Sequence, residues 1–498
     1  MNESLNQRWY QGITRYQWLV LFIASAGWAF DVFEGQIFVA SMREAMPSLL
    51  EKMAATEVEG TGEKSPEYDA DHPLVKQWND WGFGSFLLGG ALGGVLFGVL
   101  SDRIGRSKTM VITILFYSLF TCVTAFAQSP SQMVGLRFLV AMGVGGEWAV
   151  ASAMVAEVMP GRTRPVTSSI FHASSVFGTL LATGVGATIV GNEALGWRWG
   201  FAIGVTPALL ILIIRWKLKE PPQWIKARER AKEDSNQQTG RLVELFQRDH
   251  LRNTIVGVSL ASIGLVTFWG GHIYGKNALL RYEQDKVLTA SGISPPKHEP
   301  PPENPVLTRE DNETALKDYE EEYEEALTKY KDDKKAAFKK HPEIKRAEML
   351  SMALNTIGGG LGLLFFGTIS TRLGRKKTFI LYHAVAFLLM VFLFQGLIAN
   401  NASALALCLT LPVFGFFTLG MHAGYAVYFP ELYPTRLRST GAGFCFNIGR
   451  LATAAAFFGF GYVTITQENK ALLLAPLYLV GVVIVFFARE TRGKELPD

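Results

Sequence analysis

The apolar residues of this chain are gathered into about twelve long blocks, and this arrangement limits the fold more than any other feature. Lys, Arg, Asp and Glu are largely confined to the links between the blocks. A helix that crosses a bilayer needs about 20 mostly apolar residues, so twelve such helices need roughly 240. Hydrophobic residues make up 49% of the 498 positions, only slightly more than in soluble proteins. The arrangement of these residues, rather than their amount, therefore predicts an integral membrane protein.

The blocks predict an all-α fold with twelve transmembrane helices. A soluble protein of one to three domains would interrupt its apolar runs more often. The spans are predicted near 15–42, 78–101, 109–127, 131–158, 165–190, 198–216, 253–275, 347–370, 378–398, 402–428, 438–463 and 471–488.

Basic residues indicate which ends of the spans face the cytoplasm. Four links are rich in Lys or Arg, whereas the short links near 128–130 and 399–401 contain neither. The positive-inside rule therefore predicts a multi-pass protein of the cell (plasma or inner) membrane with both termini in the cytoplasm. The N-terminal sequence lacks a short apolar core before a small-residue cleavage site, so we expect no cleaved signal peptide. The basic residues of the four links are Arg103, Arg106, Lys108, Arg162, Arg164, Arg372, Arg375, Lys376, Lys377, Arg436 and Arg438.

The chain also contains an internal repeat. GVLSDRIGRSKTM at 98–110 is echoed by GTISTRLGRKKTF at 367–379, and AEVMPGRTR at 156–164 by PELYPTRLR at 430–438. Two related six-helix halves are typical of transporters, whose site lies at the interface between the halves near the bilayer midplane. We therefore predict two pseudo-symmetric six-helix bundles: 1–216 with an outer loop at 43–77, a cytoplasmic linker at 217–252, and 253–498 with an outer insertion at 276–346.

The outer insertion has a sequence pattern of its own. A Pro-rich stretch at 295–305 precedes a highly charged run in which an apolar residue recurs every seven positions. This period predicts a helix with one narrow apolar seam. We interpret the insertion as a solvated segment, with a substrate-capturing lid as the alternative. The seam residues are Leu316, Tyr323, Tyr330 and Ala337.

The loop GVLSDRIGRSK and its second copy resemble the signature loop of the major facilitator superfamily. Four further motifs are similar to one branch of this superfamily, the sialate/lactate:proton symporter branch of metabolite transporters. They are GGEW (145–148), EPPQW (220–224), FNIGRL (446–451) and WAFDVFEG (28–35). The sugar-porter branch shares Asp31, Arg137 and the E-x-x-P-x-x-x-R pattern of 431–438. Span seven, LASIGLVTFWGGHIYG, lacks the glutamine pair of that branch, which weakens a sugar interpretation.

Charged residues inside the first-half spans are candidates for proton coupling, because a charge at the bilayer centre is costly. Asp31 and Glu34 lie one helical turn apart, and two carboxylates this close repel each other, so one can bind a proton readily. A structural salt bridge is the alternative. Arg137 in span four needs an anionic partner, and the resemblance implies Asp31. Glu147 is a further coupling candidate, with a structural pairing equally open.

Arg450, midway along span eleven, is the main substrate-binding candidate. Its planar guanidinium suits the bidentate capture of a carboxylate. Spans seven to twelve contain no acidic residue near their middle, since Glu348 lies at the very start of span eight and Glu431 at a cytoplasmic end beyond span ten. A substrate carboxylate is therefore a natural counter-ion. A partner from the other half of the protein is the alternative. Further candidates for substrate binding are Asn447, His422, Trp269 and Tyr425.

Acidic and basic residues at the cytoplasmic ends of the spans predict an inner gate held by salt bridges. Thr371 replaces the Asp of the second loop, so we expect a weaker gate in the second half. If these residues served topology alone, the paired acids would have no explanation. The gate candidates are Asp102, Arg103, Arg106, Glu157, Arg372, Arg375 and Glu431.

The sequence thus predicts a proton-coupled, alternating-access carrier of a small organic anion, a monocarboxylate or sugar acid. A neutral sugar or polyol carrier, an uncoupled uniporter and, more remotely, a membrane sensor are the alternatives. No hydrolase, metalloprotease or P-loop motif is present, so we expect no enzyme activity. The net charge of +4 is too small to indicate nucleic-acid binding. We expect a monomer in lipid without a cofactor. We also expect no metal site, because Cys122, Cys408 and Cys445 lie in apolar blocks without metal-ligand spacing.

Overall fold

The computed structural model describes residues 9–57, 66, 68, 72–192, 194–209, 214, 216–234, 237–272, 275, 277–297, 309–461 and 467–498. Within these residues all regular secondary structure is helical, in agreement with the all-α prediction. Nine helical stretches of the described chain are long and apolar enough to cross a membrane. A shorter apolar stretch covers Ala471–Phe487.

Seven α-helices of the first half have both ends among the described residues. The last two of them continue as a π-turn at Gly186–Val190 and a 3-10 turn at Ile203–Ala208. The helices are α1 (Arg15–Glu57), α2 (Pro73–Ile104), α3 (Arg106–Thr124), α4 (Pro130–Val158), α5 (Arg164–Ala173), α6 (Ser175–Val185) and α7 (Gly196–Ala202).

Between the halves lie α8 (Pro222–Glu233) and a 3-10 turn at Leu242–Phe246. The second half again alternates α-helices with short π and 3-10 turns. Its helices are α9 (Arg248–Thr267), α10 (Ala278–Ala290), α11 (Arg309–Lys340), α12 (Pro342–Leu373), α13 (Arg375–Val391), α14 (Ala404–Thr418), α15 (Ala423–Tyr428), α16 (Arg438–Gly461), α17 (Gln467–Leu474) and α18 (Pro476–Phe487).

Glycines let the second and fourth spans of each half approach closely, and they do so in the same way in both halves. A Cβ on Gly93 of α2 would lie 2.0 Å from the carbonyl oxygen of Met142 on α4. In the second half, a Cβ on Gly362 of α12 would lie 2.1 Å from the carbonyl oxygen of Phe416 on α14. Small residues at such positions are a general route to close helix packing in membranes. The sequence repeat therefore corresponds to a repeat of packing.

The two halves meet through equivalent helix pairs, because α2 packs against α16 and α12 packs against α5. A Cβ on Gly98 would lie 2.9 Å from the carbonyl oxygen of Ser439. The equivalent Cβ on Gly367 would lie 2.2 Å from that of Pro165. In each half, the second span therefore packs against the fifth span of the other half. Residues on the inner faces of these helices lie between the halves.

The first helix is longer than its predicted span and continues through 43–57 of the predicted outer loop. Met46 and Leu49 are fully buried there, and the Ser48 hydroxyl accepts a hydrogen bond from Trp197 Nε1 at 3.0 Å. Apolar residues three and four positions apart keep one face of this polar stretch packed. The helix therefore extends beyond the predicted span and packs against α7 at one end of the first half.

The described part of the outer insertion is also helical. Helix α10 packs on α12, where the Leu279 backbone N–H donates to the Ser351 hydroxyl at 3.3 Å. Helix α11 agrees with the predicted helix in the charged run. Tyr323 and Tyr330 of its seam are half-buried, but Leu316 is 41% exposed.

Candidate transport site

Three carboxyl groups of the first half lie in a row between α1 and α4. These two helices contact each other along their length, and α3 lies beside α4. Asp31, Glu34 and Glu147 are all no more than 1% exposed, and Arg137 is fully buried beside them. Because charges in a bilayer are costly, their concentration here is the strongest chemical feature of the first half.

Arg137 is held by two aromatic rings and by the backbone of Glu34. Its Nη2 donates to the backbone oxygen of Glu34 at 3.1 Å, and its guanidinium carbon lies 4.8 Å from the ring centres of both Phe38 and Phe86. The carboxylate of Glu34 interacts electrostatically with the Arg137 guanidinium. The resemblance implied that Arg137 pairs with Asp31, but the structure places Arg137 beside Glu34 instead. The two helices pass each other so that Arg137 is level with the next turn of α1, one turn beyond Asp31.

Asp31 is fully buried near charged groups of both halves. Neither carboxylate oxygen of Asp31 accepts a hydrogen bond of ordinary geometry. The charged and polar groups that act on it are Glu147, Tyr117, Arg450 and Glu34. No ion pair or hydrogen bond joins Asp31 to Arg450 among the described residues, although the two charges influence each other. A counter-ion for Arg450 from the other half therefore stays an alternative to a substrate carboxylate.

Arg450 crosses from α16 to α2 through a gap left by a glycine. A Cβ on Gly90 would lie 2.4 Å from Arg450 Nη1, and this nitrogen has no hydrogen-bond partner among the described residues. The guanidinium carbon lies 5.3 Å from the Phe446 ring centre. The side chain is only half-buried, in contrast to Arg137. Arg450 is therefore a cation at the interface of the halves with donor capacity to spare.

Glu147 lies further along α4 and reaches α1 beside Gly27, one turn before Asp31. The Thr113 hydroxyl donates to Glu147 Oε2 at 2.5 Å. Oε1 has no partner, and it would lie 3.0 Å from a Cβ on Gly27. No Lys or Arg of the described chain forms an ion pair with it.

Asn447 lies one turn before Arg450 and also reaches the first half. Its Nδ2 donates to the backbone oxygen of Gly443 at 2.9 Å and to that of Gly145 at 3.5 Å, and its Oδ1 has no partner. Next to it, the Phe446 ring stacks on Trp148 with ring centres 3.9 Å apart. Asn447 and Arg450 therefore lie on neighbouring turns of α16, beside the stacked rings of Phe446 and Trp148.

The other three substrate-binding candidates lie in different surroundings. His422 Nε2 is 3.3 Å from the backbone oxygen of Gly264, and the Tyr425 hydroxyl donates to that of Leu260 at 3.1 Å. These contacts join α9 to helices of the same half. Trp269 packs edge to face against Phe83 of α2 at 5.2 Å between ring centres. It therefore bridges the halves away from Arg450.

The first-half gate candidates form a network that joins the two halves. Arg106 donates from Nη1 to Asp102 Oδ1 at 2.7 Å and from Nη2 to Glu157 Oε1 at 2.8 Å. Glu157 also accepts from Arg438 Nη1 at 2.9 Å, and Asp102 Oδ2 from the Thr440 hydroxyl at 2.6 Å. Arg438 and Thr440 belong to the second half, and we did not predict them for the gate. The sequence assigned Arg438 only a topological role, although Arg438 is the equivalent of Arg164 in the repeat.

The second-half gate candidates form a smaller network. Arg375 Nη2 donates to Glu431 Oε1 at 2.7 Å, within one half. Thr371 donates to Gly367 of its own helix at 2.8 Å instead of binding the other half. Arg103 and Arg372 are exposed and outside both networks, because each follows the inward-facing position by one residue and points to another side of its helix.

A glutamate after the sixth span caps the third span in each half. Glu220 accepts from the backbone N–H of Arg106 at 2.6 Å, and Glu490 accepts from that of Arg375 at 2.9 Å. A carboxylate at a helix N-terminus satisfies free N–H groups and interacts favourably with the helix dipole. Although burial alone would raise the pKa of Glu490, these backbone hydrogen bonds lower it below its ordinary value.

Comparison with known proteins agrees with this architecture. The family model described as "Sugar (and other) transporter" matches residues 36–250 and 352–498, well over half of the chain. A probable 4-methylmuconolactone transporter of Cupriavidus pinatubonensis is 26% identical over 409 residues, which are 81% of this chain and 79% of that protein. A sialic acid transporter of Escherichia coli is 25% identical over 367 residues, 73% of each chain.

The fold is that of a solved major facilitator protein. A proton:xylose symporter bound to 6-bromo-6-deoxy-D-glucose has a TM-score of 0.64 to this chain at 16% identity, over 97% of this chain and 98% of the symporter. This likeness confirms the predicted twelve-helix fold. The chain belongs to the family of sugar and other transporters of the major facilitator superfamily, and it is a multi-pass membrane transporter of small organic molecules rather than an enzyme.

Proposed function

We propose that this transporter moves a small organic anion, a monocarboxylate or sugar acid, by proton symport with alternating access. Its functional units are the bundles 1–216 and 253–498, joined by the linker 217–252, with both termini in the cytoplasm. The substrate binds between the bundles. The gate network of Asp102, Arg106 and Glu157 holds the cytoplasmic side closed.

Arg450 is the observation that carries this proposal. It lies midway along α16, it is half-buried at the interface of the halves, and its Nη1 has no partner among the described residues. A guanidinium in low dielectric attracts an anion far more strongly than a neutral ligand, and its fork matches a carboxylate. The name of the related sialic acid transporter supports an organic acid as substrate.

The proton-coupling part of the proposal rests on the buried carboxyl row. Asp31 and Glu147 lack a hydrogen-bonded cation, and a buried carboxylate without such a partner is costly unless it is protonated. Groups of this kind can gain and lose a proton as the site opens to one side or the other.

Uptake into proteoliposomes tests the function. The panel consists of lactate, gluconate, nicotinate and sialic acid, with D-xylose as the neutral comparison, each with and without an imposed pH gradient. We expect a carboxylate to accumulate only with the gradient. If D-xylose is taken up instead, the neutral sugar carrier becomes the better interpretation. Carboxylate uptake that ignores the gradient would indicate a uniporter.

Binding to purified Arg450 variants tests the role of the residue. Truncating one member of a buried charged pair typically costs about 2–5 kcal/mol, so Arg450→Ala should weaken carboxylate binding about 30-fold or more. Arg450→Lys restores the charge without the fork and should recover part of that loss. Arg372→Ala, which removes an exposed arginine, is the control. Unchanged binding by Arg450→Ala would refute the anion site.

A further inference from the structure

We propose that the transported anion is a flat, unsaturated monocarboxylate whose ring or conjugated chain inserts between Trp148 and Phe446. This inference rests on the proposed function, because it requires an anionic substrate bound at Arg450. It adds the shape of the substrate, and it assigns Trp148 and Phe446 as residues that determine specificity.

The two rings stack on each other across the interface of the halves. Trp148 lies on α4 of the first half and Phe446 on α16 of the second, with ring centres 3.9 Å apart and an angle of 20° between the ring planes. Both side chains are almost completely buried. Along α16 they lie between the gate residue Thr440 and Arg450. When alternating access separates the halves on the gate side, this interface exposes two nearly parallel aromatic faces.

Each ring is held in place by its own half, so the two faces keep their positions when the halves separate. Trp148 Nε1 donates to His172 Nδ1 at 3.3 Å, and the His172 ring stacks on Trp28 at 5.4 Å between ring centres. On the other side, Phe446 contacts the Tyr425 ring at 6.1 Å, and the Tyr425 hydroxyl donates to the backbone of α9 at 3.1 Å. The opened interface is therefore a preformed slot between two fixed rings.

The nearly parallel faces of this slot favour a flat ligand. Carbon atoms in contact pack best at about 3.5–4.0 Å, so a flat ring fits once the two faces have moved apart by about that distance again. A saturated ring is puckered, needs a wider opening and touches each face with fewer atoms. An aromatic or conjugated ligand also gains a stacking interaction on both sides.

Two polar groups next to the slot lack partners and fit the polar ends of such a ligand. Arg450 lies one turn after Phe446, with its guanidinium carbon 5.3 Å from the ring centre, and its Nη1 has no partner among the described residues. Asn447 is fully buried, and its Nδ2 donates to backbone oxygens of α16 and α4, but its Oδ1 has no partner there. A ligand in the slot can therefore place its carboxylate on Arg450 and donate a hydrogen bond from a hydroxyl or ring N–H to Asn447.

A matched pair of ligands tests the slot on the unmodified protein. Benzoate and cyclohexanecarboxylate carry the same carboxylate on a six-membered ring, but only benzoate is flat. The saturated ring is the more apolar of the two, so hydrophobic burial alone would favour cyclohexanecarboxylate. We expect purified protein to bind benzoate about tenfold more tightly in a titration. The absorbance of 4-nitrobenzoate should also fall on binding, because stacking between two rings weakens the absorption of an aromatic chromophore.

The variant Phe446→Leu keeps an apolar side chain and removes one face of the slot. It should lower benzoate affinity about tenfold, leave the affinity for cyclohexanecarboxylate nearly unchanged and weaken the absorbance change. Phe444→Leu is the matched control, because Phe444 lies on the same helix but packs edge to face on Phe246, outside the slot, at 5.4 Å between ring centres. This control should keep the preference of the wild type. A preference for benzoate that survives in Phe446→Leu overturns the slot.

The ligand pair decides the question even if Phe446→Leu does not fold. Equal affinities of the wild type for the two ligands, or tighter binding of cyclohexanecarboxylate, overturn the slot and leave the proposed function standing. The same holds if the protein binds lactate or gluconate but neither of the two rings. If no carboxylate binds and D-xylose is taken up, the proposed function fails as well.

Discussion

Gly90 on α2 is the residue that lets Arg450 reach the first half. A Cβ at this position would lie 2.4 Å from Arg450 Nη1, too close for any contact between nonbonded atoms. Since the guanidinium is the end of a flexible side chain, it can move aside more easily than the backbone. We therefore expect Gly90→Ala to leave the protein folded but to shift the guanidinium away from its place beside α2. Carboxylate affinity should fall about tenfold, or ~1.4 kcal/mol, in a binding titration.

Gly135→Ala on α4 is a suitable control for this change. A Cβ on Gly135 meets nothing within 4 Å, so the substitution alters the same kind of residue without a neighbour to displace. Its affinity should equal that of the wild type. If Gly90→Ala binds the carboxylate as tightly as this control, the position of the guanidinium beside α2 is not important for binding.

At the residue scale, the sequence identified charged positions better than their partners. Asp31, Arg137 and Arg450 stand out in any apolar block, because a charge there needs a reason. Their pairing depends on how far α1 is shifted along α4 and on a helix from the other half. Neither quantity is encoded in local spacing. The resemblance therefore suggested Arg137 for Asp31, whereas in the structure Arg137 binds the backbone oxygen of Glu34, one turn further along α1.

At the scale of helices, the sequence predicted the spans well and the outer segments less well. Long apolar blocks indicate membrane helices directly, since both length and composition are constrained. The stretch 43–57 looks like a polar loop, and its few packed residues became apparent only in the structure. The break between α5 and α6 at Ser174 was also not predicted. It lies where the Ser174 hydroxyl hydrogen bonds to the backbone of Ser25 and Phe171.

The outer insertion can now be divided into a packed part and an exposed part. Leu279 and Val287 of α10 are 3% and 5% exposed, whereas α11 is exposed along much of its length. Replacing 294–340 with a flexible linker should leave a folded carrier whose melting temperature changes by only a few degrees, because loop closure costs grow slowly with length. Replacing 280–343 also removes Val287 and should lower the melting temperature further. Thermal unfolding and uptake of both variants can be measured side by side. If the shorter deletion abolishes substrate affinity in a folded protein, the insertion is a lid.

At the scale of the whole molecule, the pseudo-symmetry is broken at the gate. Glu157 pairs with Arg438 across the halves at 2.9 Å. The equivalent residues, Glu431 and Arg164, form no such ion pair in the described structure, although the charge of Glu431 acts on Arg164. Both arginines make the same local bond, from Nε to the backbone oxygen eight residues earlier, at 3.0 Å and 2.8 Å. The two positions therefore differ mainly in the cross-half ion pair.

This difference predicts unequal effects of two matched substitutions, Arg438→Gln and Arg164→Gln. Breaking a buried ion pair by removing one partner costs about 3–5 kcal/mol, and here that cost falls on the state with the cytoplasmic side closed. Arg438→Gln should thus raise the ratio of inward-open to inward-closed molecules by about 100-fold or more, or ~3 kcal/mol. Arg164→Gln should change it little. The ratio can be measured as the distance distribution between spin labels at Lys108 and Arg372, two exposed positions near the gate residues of the two halves.

Arg438 also donates from Nη2 to the backbone oxygen of Pro497 at 2.7 Å, so the chain terminus needs its own control. A truncation after Leu496 removes this bond and keeps the ion pair with Glu157. If the gate depends on that ion pair, the truncated protein should keep the short label distance of the wild type. Equal opening by Arg438→Gln and Arg164→Gln would mean that the gate is symmetric in solution. Opening by the truncation alone would move the closing interaction from Glu157 to the C-terminal residues.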